Sequence, residues 1–379
     1  MNSRERVIKT INHHEPDRVP VDFGATGQTG INASTLLKLR KTLNLKDAAI
    51  YVHEPFQILG YIDQDLQRAL QTDVVGLWNP VNFLGFKNEG WKAWVMPDGT
   101  PVKIGGGFEY DVDSNGVTFV YPQGDRTALP SAKLPARGYF FDNINRAGDY
   151  DEDHLNARED FKDAFAVWDD ATAEYLARES KRLYEETDYA VLGNFGGGGF
   201  GDVAAIPGPY EKNPRGIRKI EDWLMAHILY PDYIKELFDM QLEVALKNLE
   251  IYRQAVGERI QIVYMSGTDF GSQNSEIISP DLYREFYAPY HKTLNDWVHR
   301  NTQWKTFYHC CGSIVKLLDD MVKVGVDILN PVQCSATGMD PVMLKEKYGQ
   351  KLVFWGGGVD TQHTLPFGTP EEVREQVGE

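Results

Sequence analysis

Short runs of β-branched and aromatic residues recur along this chain between amphipathic stretches, and that alternation limits the possible folds more than any other feature. The runs are Val19–Phe23, Asp73–Leu77, Tyr189–Gly193, Ile260–Tyr264, Trp304–His309, Val326–Asn330 and Leu352–Gly356. Runs too short for a helix, separated by helix-length segments, predict repeated βα units and a parallel sheet. Ser279–Arg300 is the clearest linking segment. It opens with Ser279-Pro280, which suits a first helical turn, and carries Leu282, Phe286, Tyr290, Leu294 and Trp297 on one stripe. It predicts one long outer-layer helix.

In parallel α/β folds the reactive groups sit where strands end and helices begin. Thr306-Phe307-Tyr308-His309-Cys310-Cys311-Gly312 has that form, a buried strand ending in an imidazole and two thiols before a glycine break. His309 and Cys311 carry metal-binding atoms, and Cys334 lies one strand later. Alternation turns Cys310 away from its neighbours, toward the core. Three cysteines, all in the last quarter, are not a secreted disulfide framework; they fit thiol or metal chemistry, or small buried hydrophobes.

Composition removes other classes of function. The net charge of −16, from 39 basic and 55 acidic residues, disfavours phosphate backbones and anionic lipid surfaces, so neither nucleic acid nor a membrane is an expected partner. No stretch reaches the ~20 apolar residues of a membrane span. Met1-Asn2-Ser3-Arg4-Glu5-Arg6 lacks the apolar core of a signal peptide, which predicts a cytoplasmic protein. The 379 residues suffice for one large barrel with a sizeable core.

Two regions break the alternation. Between Trp91 and Tyr121 the turn signals Pro97-Asp98-Gly99 and Asp113-Ser114-Asn115-Gly116 separate alternating runs, predicting inserted β-hairpins over residues 91–121 that form a lid or rim. From Arg126 to Asp160 the chain is rich in Pro, Asp, Asn and Gly and predicts a long surface loop. The organisation expected is one domain over 1–379 with an insertion at 91–160.

One ordered set of motifs runs through the chain: Asn2-Ser3-Arg4-Glu5-Arg6-Val7, Pro16-Asp17-Arg18-Val19-Pro20-Val21, Ile278 to Phe286 with Pro289, His309-Cys310-Cys311-Gly312, Gly325 to Asn330, Gly356-Gly357-Gly358-Val359-Asp360 and Gly368 to Val373. In that order the set resembles the uroporphyrinogen decarboxylase superfamily, which includes cobalamin-dependent methyltransferases. The resemblance covers nearly the whole chain outside the insertion and implies an α/β fold of the (β/α)8 TIM-barrel type. Family members continue with one more strand and helix where this sequence ends at Val377-Gly378-Glu379, so the expectation is of a truncated sequence.

The two branches of the superfamily make different demands. A tetrapyrrole with many carboxylates calls for arginines after the first strand, and Gly24 to Asn32 contains none. The decarboxylase branch also carries an aspartate after the second strand, where Leu77-Trp78-Asn79-Pro80-Val81-Asn82 offers only asparagines. The methyltransferase branch holds zinc with a His-x-Cys pair after the fifth strand plus a later cysteine. His309 and Cys311 match that pair, and Cys334 fills the third place by position alone. The resemblance thus implies a zinc-dependent methyltransferase moving a methyl group between a small substrate or thiol and a corrinoid carried by a partner protein. A metal-free decarboxylase using His309 and Asp269 as acid and base remains open, as does a non-catalytic ligand-binding barrel. A homodimer is implied by resemblance only.

Other strand ends offer polar groups for a small ligand. Asp22, Gln28 and Thr29 follow the first strand, and Asn194 opens the Gly-rich run to Gly201, which lacks a Walker lysine because Asp202 comes next. Thr268, Asp269 and Gln273 follow the fourth strand, Asn330 and Gln333 the sixth, Asp360 and Gln362 the seventh. Asp269 is the candidate acid, base or orienting group; the rest are candidate substrate contacts.

Overall fold

The computed structural model describes residues 1–378. Its centre is a six-stranded sheet whose members are β1 (Val74–Leu77), β2 (Ala190–Asn194), β3 (Ile262–Ser266), β4 (Lys305–His309), β5 (Ile328–Asn330) and β6 (Val353–Phe354). All neighbours are parallel and their spatial order is the chain order, β1 to β6. Each crossover carries helix, as the alternation of apolar runs required. No helix among the described residues is long and apolar enough to cross a membrane.

Side chains on the strands alternate between two cores. One set, including Val75, Leu77, Val191, Val263, Tyr308 and Leu329, packs against the helices in the largest cluster. The other, Val74, Ala190, Leu192, Ile262, Phe307, Ile328 and Val353, faces inward and meets Val7 and Ile11 from the Ser3–Ile11 helix and Ala25. The sheet is curled around this inner cluster. It is an open sheet: among the described residues β1 and β6 each pair on one side only, and no strand ladder closes the ring. The segment before β1 crosses the gap instead. Trp355, next after β6, donates its indole N–H to Asp22 at 3.0 Å, and Asn194 donates to the carbonyl of Ala25 at 2.9 Å.

That segment, Val19–Phe23, is not the strand its composition predicts. Pro20 has no N–H for a ladder. The N–H of Val21 bonds the Asp73 carboxylate at 2.9 Å, and its carbonyl accepts from the Asp73 N–H at 2.7 Å. Asp73 is fully buried and also pairs with Arg6 and Arg18, both at 2.7 Å, which fastens the amino end of the sheet to the first helix.

The stretch Ser279–Arg300 forms two helices, Pro280–Phe286 and Ala288–Asn301, rather than one. Ser279 caps the first through the Leu282 N–H at 3.1 Å. Pro289 offers no N–H to continue it, so the chain restarts there. The buried stripe accordingly shifts to Tyr283, Phe286, Tyr290, Leu294 and Val298, leaving Leu282 and Trp297 at its edge.

Away from the parallel sheet, residues between Ala33 and Phe141 build a second core around Trp94, Phe108 and Phe141. Lys92–Val95 pairs antiparallel with Pro101–Ile104, and Tyr110–Val112 with Thr118–Val120, at the turns expected. Asp113 shapes the second turn by accepting from the N–H groups of Asn115 and Val117, and Gly116 takes the left-handed conformation at φ +79°. The excursion is wider than the hairpins alone. Tyr51–Glu54 joins the first pair, while Ala132–Leu134 and Asp142–Asn143, inside the stretch expected to be loop, extend the second into a four-stranded meander.

Candidate active site

The inward row of the sheet does not end in apolar residues. Register places Asn194 beside Tyr264 and His309 beside Asn330, each one step beyond the inner cluster, with Trp355 following β6. Polar and aromatic groups therefore crown the carboxyl end of an apolar floor of Leu192, Phe307 and Ile328. Phe307 touches Trp355 and Tyr264 at ring separations of 5.6 Å and 5.9 Å.

His309 is held by a defined chain of hydrogen bonds. Asn330 donates its amide N–H to the carbonyl of Trp355 at 2.7 Å, which points its amide oxygen at Nδ1 of His309, 2.6 Å away. Nδ1 must then carry the proton, leaving a lone pair on Nε2. Burial lowers the His309 pKa, against the opposing pull of Asp269 and Asn330, so the ring is neutral at pH 7. Nε2 faces Sγ of Cys311 at 3.2 Å and Oδ1 of Asp269 at 3.7 Å. The same Asp269 oxygen accepts the Cys311 N–H at 2.6 Å, fixing the loop that follows β4. Gly312 at φ +81° turns that loop, and its N–H bonds the side-chain oxygen of Gln333. Burial, then the Asp269 carboxylate, push the Cys311 thiol up to about 12, so it stays protonated unless a cation replaces the proton.

Asp269, His309 and Cys311 each offer one ligand atom, all within 4.8 Å of one another. A sulfur, an imidazole nitrogen and a carboxylate oxygen suit zinc, and the locked Nδ1 is the outer hydrogen bond that zinc-binding histidines have. The donor set fits the ion that the His-x-Cys pair implies. Cys334 stands outside this group; its thiol is half-buried and its nearest hydrogen-bond partner is the carbonyl of Val332 at 3.6 Å. Cys310 is buried in the outer core, where its sulfur accepts the Phe270 N–H at 3.2 Å.

The remaining candidates divide. Asp22, bonded to Trp355, is pushed up to about 6 by burial, which outweighs its hydrogen bonds from Trp355, Ala25 and Thr29. Thr29 lies inside its own turn, its hydroxyl accepting from the Thr26 N–H at 3.1 Å, and Gln28 is exposed on that turn. Asn194 is occupied with the carbonyls of Ala25 and Leu77. Gln273 is half-buried and bonds Thr337 through its backbone. Asp360 bonds the N–H groups of Gln362 and His363 and the His363 ring at 3.1 Å, a local turn, and Gln362 is exposed. Thr268 is buried and bonds the Phe200 carbonyl at 3.0 Å.

Two groups not among the sequence-derived candidates join the site. Asp202 ends the glycine run after β2; one oxygen accepts the Ala204 N–H at 2.9 Å, and burial, reinforced by the nearby Asp269 carboxylate, pushes it up to about 7. Tyr264 is raised well above its usual range by burial, then by the charges of Asp202, Asp269 and Cys311. Tyr264 was legible as an inward position of β3; nothing in the sequence marks Asp202 as buried.

An α/β protein with reactive groups at the carboxyl ends of parallel strands is the class so defined. Residues 213–379, which carry His309, Cys311 and Asp269, match the family model for uroporphyrinogen decarboxylase (URO-D). Among solved structures, the chain is similar to a methyltransferase from Methanosarcina mazei at 13% identity and a TM-score of 0.45, covering 100% of this chain and 97% of that one. No curated protein matches.

Proposed function

We propose that the chain is a zinc-dependent methyltransferase of the URO-D superfamily, its sheet being that of a (β/α)8 barrel. The observation carrying the reading is the convergence of Cys311, His309 and Asp269, with Nδ1 of His309 tied back so that Nε2 is presented as a base. Asp269, in place of Cys334, completes the ligand set. Zinc held there would act as a Lewis acid, keeping an acceptor thiol in its thiolate form at neutral pH.

The chain's own residues have separable tasks. Asn330 and Trp355 fix the His309 ring; Gln333 and Asp269 fix the Cys311 loop. Asp202 holds a proton near neutral pH beside the ligand set, where it can give one to a leaving group or take one from an incoming thiol. A corrinoid carrier protein is the proposed methyl partner. The decarboxylase alternative is disfavoured because Gly24 to Asn32 offers no arginine for a polycarboxylate.

The test is methyl exchange between methylcobalamin and a small thiol, followed by corrinoid absorbance. Wild type is expected to accelerate it and Cys311→Ser to lose at least about 10²-fold, the cost of removing a group that stabilises the transition state. Equal rates for both, with wild type folded, would defeat the reading.

A further inference from the structure

Gly267, between β3 and Asp269, is required by space rather than by backbone shape. Its φ lies outside the left-handed region, yet a Cβ built on it would stand 2.2 Å from the hydroxyl oxygen of Tyr264 and 3.5 Å from Nε2 of Gln28. A side chain there and the Tyr264 hydroxyl exclude one another. Gly193 shows the same crowding, 2.1 Å from the Tyr252 hydroxyl, but that oxygen is sealed in the core with Ile260 at the same point. Tyr264 differs. It is half-buried, Gln28 is exposed, and neither the hydroxyl nor the side-chain amide has a hydrogen-bond partner among the described residues.

The two groups are brought together by the folded backbone. Asn194, the register partner of Tyr264, donates its amide to the carbonyl of Ala25 at 2.9 Å, which ties the Gln28 turn to the carboxyl end of β2. Within that turn the Gln28 N–H bonds the hydroxyl of fully buried Thr26 at 3.1 Å. The backbone of Gln28 is therefore fixed and its side chain left free. A phenol O–H and an amide N–H that converge on one vacant point can both donate to a single acceptor oxygen. Both donors are uncharged, and the loop that carries Gly267 goes on to the Asp269 carboxylate. An anionic oxygen placed there would be a desolvated charge without a counter-charge from this pair, whereas a neutral oxygen is fully matched.

We propose that Tyr264 and Gln28 form an oxygen subsite in front of Gly267, which takes a neutral hydroxyl or carbonyl oxygen of the substrate. The small thiol of the reading above then carries such an oxygen rather than a carboxylate. The proposal rests on the strand-end site being the substrate site; the oxygen contact itself does not require the metal.

Saturation-transfer NMR, which reaches millimolar affinities, is used to titrate the full chain with 2-mercaptoethanol, with propane-1-thiol, which has a methyl in place of the hydroxyl, and with 3-mercaptopropionate. Each titration is run on zinc-loaded and on chelator-stripped protein, with zinc content measured. 2-Mercaptoethanol is expected to bind at least about fivefold more tightly than either analogue, the scale of one net hydrogen bond. Tyr264→Phe and Gln28→Ala are each expected to shrink that preference, and Gly267→Ala to abolish it by filling the point; Gln28 is exposed, so its variant is not at risk of misfolding. The preference in stripped protein supports the subsite even where the zinc reading fails. Equal binding of 2-mercaptoethanol and propane-1-thiol, binding of neither, tighter binding of 3-mercaptopropionate, or a preference that Gln28→Ala and Tyr264→Phe both retain overturns it whatever the zinc content.

Discussion

The two ends of the parallel sheet treat buried charge in opposite ways. At the amino end, Asp73 is enclosed with two guanidiniums and the Val21 N–H, and Val7 and Ile11 close the inner core above it. At the carboxyl end Asp202, Asp22 and Cys311 are desolvated with no Lys or Arg ion pair among the described residues, and burial raises their pKa values toward the neutral forms. Charge pairing at one end and hydrogen bonds without it at the other separate a stabilising network from a site held ready for a ligand.

That contrast can be broken by substitution. Asp73→Ala removes the carboxylate that holds Arg18 and the Val21 N–H and leaves the buried Arg6 with Asp17 alone at 2.6 Å, and is expected to cost about 2–3 kcal/mol in urea unfolding. Its zinc content, measured on folded material, should match wild type. A loss below about 1 kcal/mol would mean the amino-end network contributes little.

Asp202→Asn should act in the other direction. The Asp202 pKa in the folded chain is about 7, above the ordinary 3.8, so between about pH 4 and 7 the native state holds a proton that the unfolded chain has released. Wild-type stability therefore falls as pH rises through that window. The variant lacks this penalty, and its gain over wild type should grow from near zero at pH 4 to a plateau above pH 7 of no more than about 4 kcal/mol. Unfolding curves at pH 5 and pH 8 that give the same difference would contradict the assignment. Asn330→Ala is expected to cost about 10–100-fold in zinc affinity by freeing the His309 ring, read by chelator competition. Asp360→Asn, which disturbs only a turn, should leave zinc affinity and methyl transfer within about twofold of wild type.

The sequence was most informative where local pattern and long-range packing agree. The runs that became β1 to β6 were visible because both faces of a parallel strand are apolar, and His309 and Cys311 because they interrupt such a run. Val19–Phe23 has the same composition, but Pro20 and the Asp73 carboxylate take its backbone groups elsewhere, a tertiary event no local pattern records. Ala132–Leu134 was too short to signal a strand and forms one only because Thr118–Val120 lies beside it. Strand-end position suggested Asp269 and Cys334 alike; only geometry shows that the first meets His309 and the second does not. Asp202 gained its interest from burial, which its glycine-rich neighbours conceal.

X-ray absorption on zinc-loaded protein tests the account most directly, because it counts donor types around the ion. One sulfur near 2.3 Å, with the remaining donors nitrogen or oxygen at about 2.0–2.2 Å, and loss of that sulfur in Cys311→Ser, is the result expected. Two sulfurs, or zinc bound without sulfur, would contradict the Asp269–His309–Cys311 centre.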